Sequence, residues 1–207
     1  MSSPLPLWAR RLEDMPGVNY NPPPGLDVSR LRYRDHEPQV GSSSYDGSAI
    51  LDWPERDGEW SSASPASDHG DALYEEDVDA GEILRLLAEC LELPGTPSDY
   101  HFLIVGAAEK LAGLAVREPR LLAEVERLCL LDLRLVQARE DIIRAPDRPE
   151  GWLHVRSFDA LIRMYEQAGF LPEALEVALI AERYGQDGGR GEDLRRRLAN
   201  DVAIDAV

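Results

Sequence analysis

Apolar residues recur with a helical period through most of the chain after residue 78, and this pattern predicts six helices. They span about 78–93, 99–116, 119–138, 157–168, 172–184 and 192–203. Pro94-Gly95 stops the first helix, and Thr96-Pro97 offers a hydroxyl cap and a first-position proline to the second. Paired helices with short turns predict an all-α fold, a short stack of antiparallel helical hairpins.

The helix predicted over 99–116 carries apolar residues at helical spacing, which predicts a buried stripe. The stripe consists of Phe102, Val105, Ala108, Leu111, Ala112 and Ala115. Gly106 and Gly113 lie within the same helix. Each costs about 1 kcal/mol relative to alanine, so their presence indicates close packing against a neighbouring helix.

Residues 157–185 contain the clearest hairpin pattern. Phe158, Leu161 and Tyr165 repeat on one helical face, and Gly169 follows at a position that suits a left-handed turn. Pro172 then opens a second helix. Its predicted buried stripe is Leu175, Ala178, Leu179 and Ala181.

This hairpin resembles the tetratricopeptide repeat, whose signature places aromatic, Leu, Tyr, Gly, Ala and Ala residues at fixed spacing. The matching residues are Phe158, Leu161, Tyr165, Gly169, Ala174 and Ala181. The chain differs from that signature at Ile162, Ala178 and Gln186. Residues 98–199 also resemble the C-terminal region of uncharacterised bacterial tetratricopeptide-like proteins. The resemblance implies a helical solenoid and no particular activity.

The first 75 residues show no sustained period and are rich in proline, serine and acidic residues. They predict an irregular or disordered arm over 1–75, followed by a helical domain over 76–207 that folds without it. Aromatic residues are nevertheless scattered through the arm, namely Trp8, Tyr20, Tyr33, Tyr45, Trp53 and Trp60. Either they hold the arm on the helical body, or they are short motifs that fold on a partner.

The formal net charge of −17 opposes binding to nucleic acid, where lysine and arginine supply most of the affinity. It also opposes an anionic membrane surface and is compatible with a protein partner that has a basic surface. The sequence shows no signal-peptide pattern and no apolar run long enough for a membrane span. A cytoplasmic location follows as the default expectation. Cys90 and Cys129 lie within apolar helical patterns, which predicts buried thiols.

No catalytic, cofactor or metal motif is apparent. His36, His69, His101 and His154 are far apart and show no ligand spacing. The glycine-rich segment 185–191 lacks the Lys-Ser/Thr pair and preceding strand of a phosphate loop, so it predicts a turn. We therefore expect no cofactor.

Polar residues on the two predicted hairpins are candidates for partner binding. They are Tyr100, His101, Glu109, His154, Arg156 and Arg163. The favoured function is a non-catalytic interaction module, a scaffold or adaptor that uses its helical surface and its aromatic arm. The alternatives are an enzyme or small-ligand sensor that uses the His101/His154 region, and a structural subunit of a homo- or hetero-oligomeric assembly.

Overall fold

Two compact units divide the chain, Met1–Ile142 and Ile143–Val207. The computed structural model describes residues 7–18, 30–44, 47, 49–75, 77–145 and 151–205, with the backbone alone for 7–10 and 201–205. Within these residues the fold is mostly helical, with eight α-helices and one small sheet. The division falls between the two predicted hairpins, whereas composition predicted a boundary near residue 75.

The first unit contains five of these helices. They are α1 (Leu7–Asp14), α2 (Pro65–Gly70), α3 (Ala80–Cys90), α4 (Pro97–Ala115) and α5 (Leu122–Ala138). Asp79 caps α3 by accepting a hydrogen bond from the Glu82 amide at 2.9 Å. Thr96 and Asp99 form a reciprocal capping box at the start of α4, beside Pro97 in its first turn. The predicted helix starts at these two places are confirmed.

Three antiparallel strands also lie in the first unit, and they correct the expectation of a purely all-α fold with an irregular arm. They are β1 (Gln39–Ser42), β2 (Ala49–Pro54) and β3 (Trp60–Ser61), in the order β1-β2-β3. Val40 pairs with Leu51, and Trp53 pairs with Ser61. These strands have only two to six residues. Such short segments give too few alternations for a recognisable strand period.

The N-terminal residues contribute to the core of the first unit. Leu31, Leu51 and Trp53 form a buried cluster in which Trp53 is 2% exposed. Met15 is fully buried as well. Gly17 passes so close to the loop before α4 that an added Cβ would lie 1.8 Å from the Gly95 carbonyl oxygen. This packing argues against a helical region that folds without the arm.

Side-chain and backbone groups of the N-terminal segment also form hydrogen bonds with the helical part of the first unit. The Arg11 guanidinium donates to the Ala88 carbonyl at 2.8 Å, and that of Arg139 donates to the Val18 carbonyl at 3.1 Å. Among the scattered aromatic residues, Trp53 is buried in the core, whereas Trp60 is 45% exposed. Tyr33 is half-buried. The Trp8 side chain, Tyr20 and Tyr45 lie outside the described residues.

The second unit contains α6 (Arg156–Ala168), α7 (Leu171–Glu182) and α8 (Arg190–Asp205). Gly169 ends α6 with φ +80°, and the Phe170 amide donates back to the Tyr165 carbonyl at 2.8 Å. The predicted hairpin and its turn are confirmed. The residues that match the repeat signature on α6 and α7 are buried, namely Phe158, Leu161, Tyr165, Ala174 and Ala181. Leu179 was predicted to be buried but is 36% exposed, and Val177 occupies the core instead.

The turn at Gly169 gives a test of backbone conformation alone. An added Cβ at Gly169 would meet no atom within 4 Å, so its φ of +80° is the only obstacle to alanine. We expect Gly169→Ala to lower the free energy of unfolding by about 1 kcal/mol. Gly113, within α4, also has open space around it, so Gly113→Ala should raise that free energy by about 0.5–1 kcal/mol. Urea denaturation of both variants checks the sign, and a loss at Gly113 would contradict the helical geometry assigned there.

Candidate functional site

Two of the three predicted partner-binding residues in the first unit are buried. Tyr100 is fully buried, and its hydroxyl donates to the Leu93 carbonyl at 2.8 Å. Burial raises the pKa of Tyr100 well above its ordinary value. His101 is 4% exposed, and its Nδ1 lies 2.5 Å from Oδ1 of the fully buried Asp132 on α5. The pair of His101 and Asp132 links α4 to α5, Tyr100 links α4 to the segment after α3, and neither Tyr100 nor His101 is presented at the surface.

Glu109, the third of these residues, is exposed on α4. In the second unit His154, Arg156 and Arg163 are all exposed. His154 precedes α6, and its Nε2 lies 3.0 Å from Asp159 Oδ2 in the first turn of that helix. Arg156 and Arg163 are seven residues apart on α6 and therefore share one face. Asp159, three residues after Arg156 and four before Arg163, lies on the same side of α6, so this face carries both signs of charge.

The exposed face of α4 is the most unusual surface of the first unit. It consists of Phe102, Val105, Gly106, Glu109, Ala112, Gly113 and, at the C-cap, Val116, and we call it the α4 surface. Phe102 is 53% exposed and Val116 is 85% exposed. Glu109 is the one ionisable residue of the seven. The opposite face of the helix, which includes Ile104, Ala107 and Leu111, forms the core.

This arrangement corrects the predicted stripe on α4. Phe102, Val105 and Ala112 were assigned to the buried side, but the structure places Phe102 and Ala112 outside and Val105 only half inside. The cause is that α4 is apolar around most of its circumference. Periodicity identifies a buried face only where the other face is polar. A nearly uncharged exposed face on a long helix is itself the signal that the pattern analysis missed.

Tyr74 borders the α4 surface along one side. An added Cβ at Gly106 would lie 2.8 Å from the Tyr74 hydroxyl oxygen, so Gly106 makes room for the tyrosine rather than for a helix. Tyr74 remains 56% exposed. Partial burial raises the pKa of Tyr74, and the nearby carboxylates of Asp71 and Glu109 raise it further. The edge of the surface is therefore in a negative electrostatic environment.

A pocket of about 460 Å³ lies beside the sheet and was not anticipated from the sequence. Its lining includes Tyr33, Trp53, Ser61 and His69. His69 Nε2 lies 2.8 Å from Glu89 Oε2, and the Ser61 hydroxyl accepts a hydrogen bond from the Ala63 amide at 3.1 Å. Neither His101 nor His154 lines this pocket.

The described residues contain no group of three or more His, Cys, Asp or Glu side chains that could hold a metal ion. Both cysteines are buried as free thiols, as predicted, and burial raises the pKa of Cys90 to about 11. A thiol with that pKa is protonated near neutral pH and is a poor nucleophile.

None of the described helices combines the length and the apolar character that crossing a membrane requires. Comparison of the chain with protein-family models, with curated proteins and with solved structures gave no match.

Proposed function

We propose that this protein is a non-catalytic interaction module, a scaffold or adaptor that binds another protein. The observation that carries the proposal is the α4 surface, where Phe102 and Val116 are exposed on a helix that is already fully partnered on its other side. Large exposed apolar side chains grouped on one face are characteristic of protein-binding sites. A buried aromatic or aliphatic anchor supplies much of the energy of such interfaces.

The helical hairpin of the second unit supports the same proposal. We propose that α6 and α7 form a tetratricopeptide-like hairpin, because the two helices pack together and the signature residues Phe158, Leu161, Ala174 and Ala181 are buried. Phe158 also stacks on Tyr184, with ring centroids 5.8 Å apart. Repeats of this kind hold extended segments or helices of other proteins.

The acidic composition of the chain favours a partner with a basic surface. With a formal net charge of −17, the chain attracts basic surfaces over long distances. Electrostatic attraction of this kind raises the association rate more than the final affinity. We therefore expect the association rate constant, more than the dissociation rate constant, to fall as salt is raised.

A photo-crosslinking experiment in the cells that make the protein tests the proposed function. We expect a photoreactive phenylalanine analogue at Val116 to form a covalent adduct with a second protein. The same analogue at Glu55, an exposed residue that follows β2, should form none. The adduct should also disappear when Phe102→Ser is combined with the analogue at Val116.

A thermal-shift screen with divalent metal ions and nucleotides, run beside the crosslinking, tests the alternative. Stabilisation by one of these small ligands, together with no protein adduct from position 116, would overturn the proposal in favour of an enzyme or sensor. An adduct with a protein and no thermal shift would support it.

A further inference from the structure

The α4 surface is long enough to contact a second helix. Phe102 and Val116 lie at its two ends, 14 residues apart, which corresponds to about 21 Å along the helix axis. Gly106, Ala112 and Gly113 lie between them together with Val105 and the exposed Glu109, and the Cβ position of Gly113 has no atom within 4 Å. Helix axes pack 8–10 Å apart, at the near end of that range where the contact residues are small. A second helix of about four turns has the length to contact both Phe102 and Val116.

The charges around the α4 surface are unevenly distributed. Tyr74 lies beside the carboxylates of Glu109 and Asp71, both on exposed residues. The Lys110 ammonium group also lies at this edge and donates to the neutral Glu75 carbonyl at 2.6 Å, so it keeps its positive charge. Two carboxylates against one ammonium group leave the Tyr74 edge with a net negative charge.

The Val116 end differs in charge from the middle. Arg117 and Arg120 lie just beyond it, and Arg120 forms an ion pair with Glu118. Basic residues of a bound helix would be repelled there and attracted beside Glu109. The surface thus distinguishes the two ends of an incoming charged helix.

A second copy of this chain suits the α4 surface poorly. Two copies related by a two-fold axis would present the same patch to each other, including its acidic edge. Each copy also carries a formal net charge of −17, which opposes self-association. Complementary charge requires a partner with lysine or arginine beside its apolar residues.

We infer that the α4 surface binds an amphipathic helix of a partner protein, with the apolar stripe of that helix between Phe102 and Val116 and its basic residues beside Glu109 and Tyr74. This inference rests on the proposed interaction function and adds the chemical class of the bound segment. Recognition of an amphipathic helix in an apolar groove is a common mode of peptide binding. The acidic edge supplies the preference for a basic helix over a neutral or acidic one.

Designed peptides provide a direct test with the full chain. The probe is a fluorescently labelled 18-residue helix with leucine at i, i+3, i+4 and i+7 positions and lysine elsewhere. A second peptide has glutamate in place of lysine, and a third has the lysine peptide's composition in scrambled order. We expect fluorescence anisotropy to show saturable binding of the lysine helix, binding at least tenfold weaker for the scrambled peptide, and none for the glutamate peptide.

Variants of the chain assign the binding to the surface. Phe102→Ser and Val116→Ser should each weaken binding of the lysine helix about tenfold, since each removes an exposed anchor. Glu109→Gln should weaken binding several-fold and reduce its salt dependence. Phe170→Ser is the matched control, because Phe170 on the second unit is 54% exposed, nearly as much as Phe102, and it should bind like the unmodified chain.

Stability is measured on every variant because the Phe102 ring also contacts His101, with centroids 5.0 Å apart. Val116 has 85% of its surface exposed, so Val116→Ser keeps the test valid if Phe102→Ser unfolds the first unit. Equal binding of the scrambled peptide, or unchanged binding by Val116→Ser, would overturn the inference. So would a dimer in sedimentation that Val116→Ser dissociates, because the occupant would then be a second copy.

The crosslinking experiment separates this inference from the proposed function. A protein adduct from position 116 without binding of the lysine helix would leave the interaction function standing and reject the basic helix as its ligand. Absence of both would reject the two together.

Discussion

Trp53→Ala is expected to lower the free energy of unfolding of the first unit by about 3–5 kcal/mol. Trp53 is 2% exposed and packs with Leu31 and Leu51, so the substitution removes a large side chain from a closed cluster. Domains of this size have a total stability of about 5–15 kcal/mol. Urea denaturation followed by circular dichroism measures the loss, and amide hydrogen exchange shows whether it lies in the first unit.

Trp60→Ala is the matched control for that experiment. Trp60 lies on β3 of the same sheet but is 45% exposed, so we expect a change below about 1 kcal/mol. Similar losses for the two tryptophans would contradict the packing described for β2. No loss for Trp53→Ala would restore the view of an N-terminal arm that is dispensable for folding.

His101→Ala is the second substitution with a large expected effect, a loss of about 3 kcal/mol or more in the free energy of unfolding. It leaves the carboxylate of Asp132 fully buried without the imidazole that lies 2.5 Å from it. Removing one partner of a buried polar pair is costly because the remaining group keeps its desolvation penalty. Chemical denaturation of the variant gives the value.

The pair of His154 and Asp159 in the second unit provides the control. It also consists of a histidine and an aspartate, with His154 Nε2 3.0 Å from Asp159 Oδ2, but 61% of the His154 side chain is exposed. We expect His154→Ala to cost less than about 1 kcal/mol, as exposed pairs do. Replacing both His101 and Asp132 with leucine should cost less than His101→Ala alone, because the buried carboxylate is then removed together with the imidazole.

This comparison also decides between two roles for His101. A structural role predicts that loss of activity in cells follows loss of stability across the variants. A His101→Ala protein that is as stable as the unmodified chain but inactive in cells would indicate a chemical role. That result would favour the enzyme or sensor alternative over the interaction module.

Local signals in the sequence determined where the helices after residue 78 begin and end. Asp79 and Thr96 each accept a hydrogen bond from a backbone amide three residues further along the chain, and Gly169 ends α6 because it adopts a positive φ. Each of these signals involves only residues that are close in the sequence. The hairpin of α6 and α7 could be predicted for the same reason, since its two apolar faces are clear and its turn is short.

The tertiary structure alone decided which side of α4 is buried. Apolar residues surround that helix, so its sequence does not distinguish the side with Ile104 from the side with Phe102. The choice depends on how α2, α3 and α5 pack against α4, and on Tyr74 packing over Gly106. The α4 surface, on which the proposed function depends, could therefore not be located by periodicity.

Burial of the N-terminal residues in the core also depends on tertiary contacts. Leu51 and Trp53 lie on β2, whereas Leu31 precedes β1, and each alone predicts nothing about burial. Their cluster exists because the strands and the adjacent loops bring them together. The sequence by itself thus determined the local helices and the acidic charge of this protein. Contacts made in the folded chain decided its core, the division into two units and the helix face that is left exposed. The reason is that burial depends on neighbouring elements, which no local pattern records.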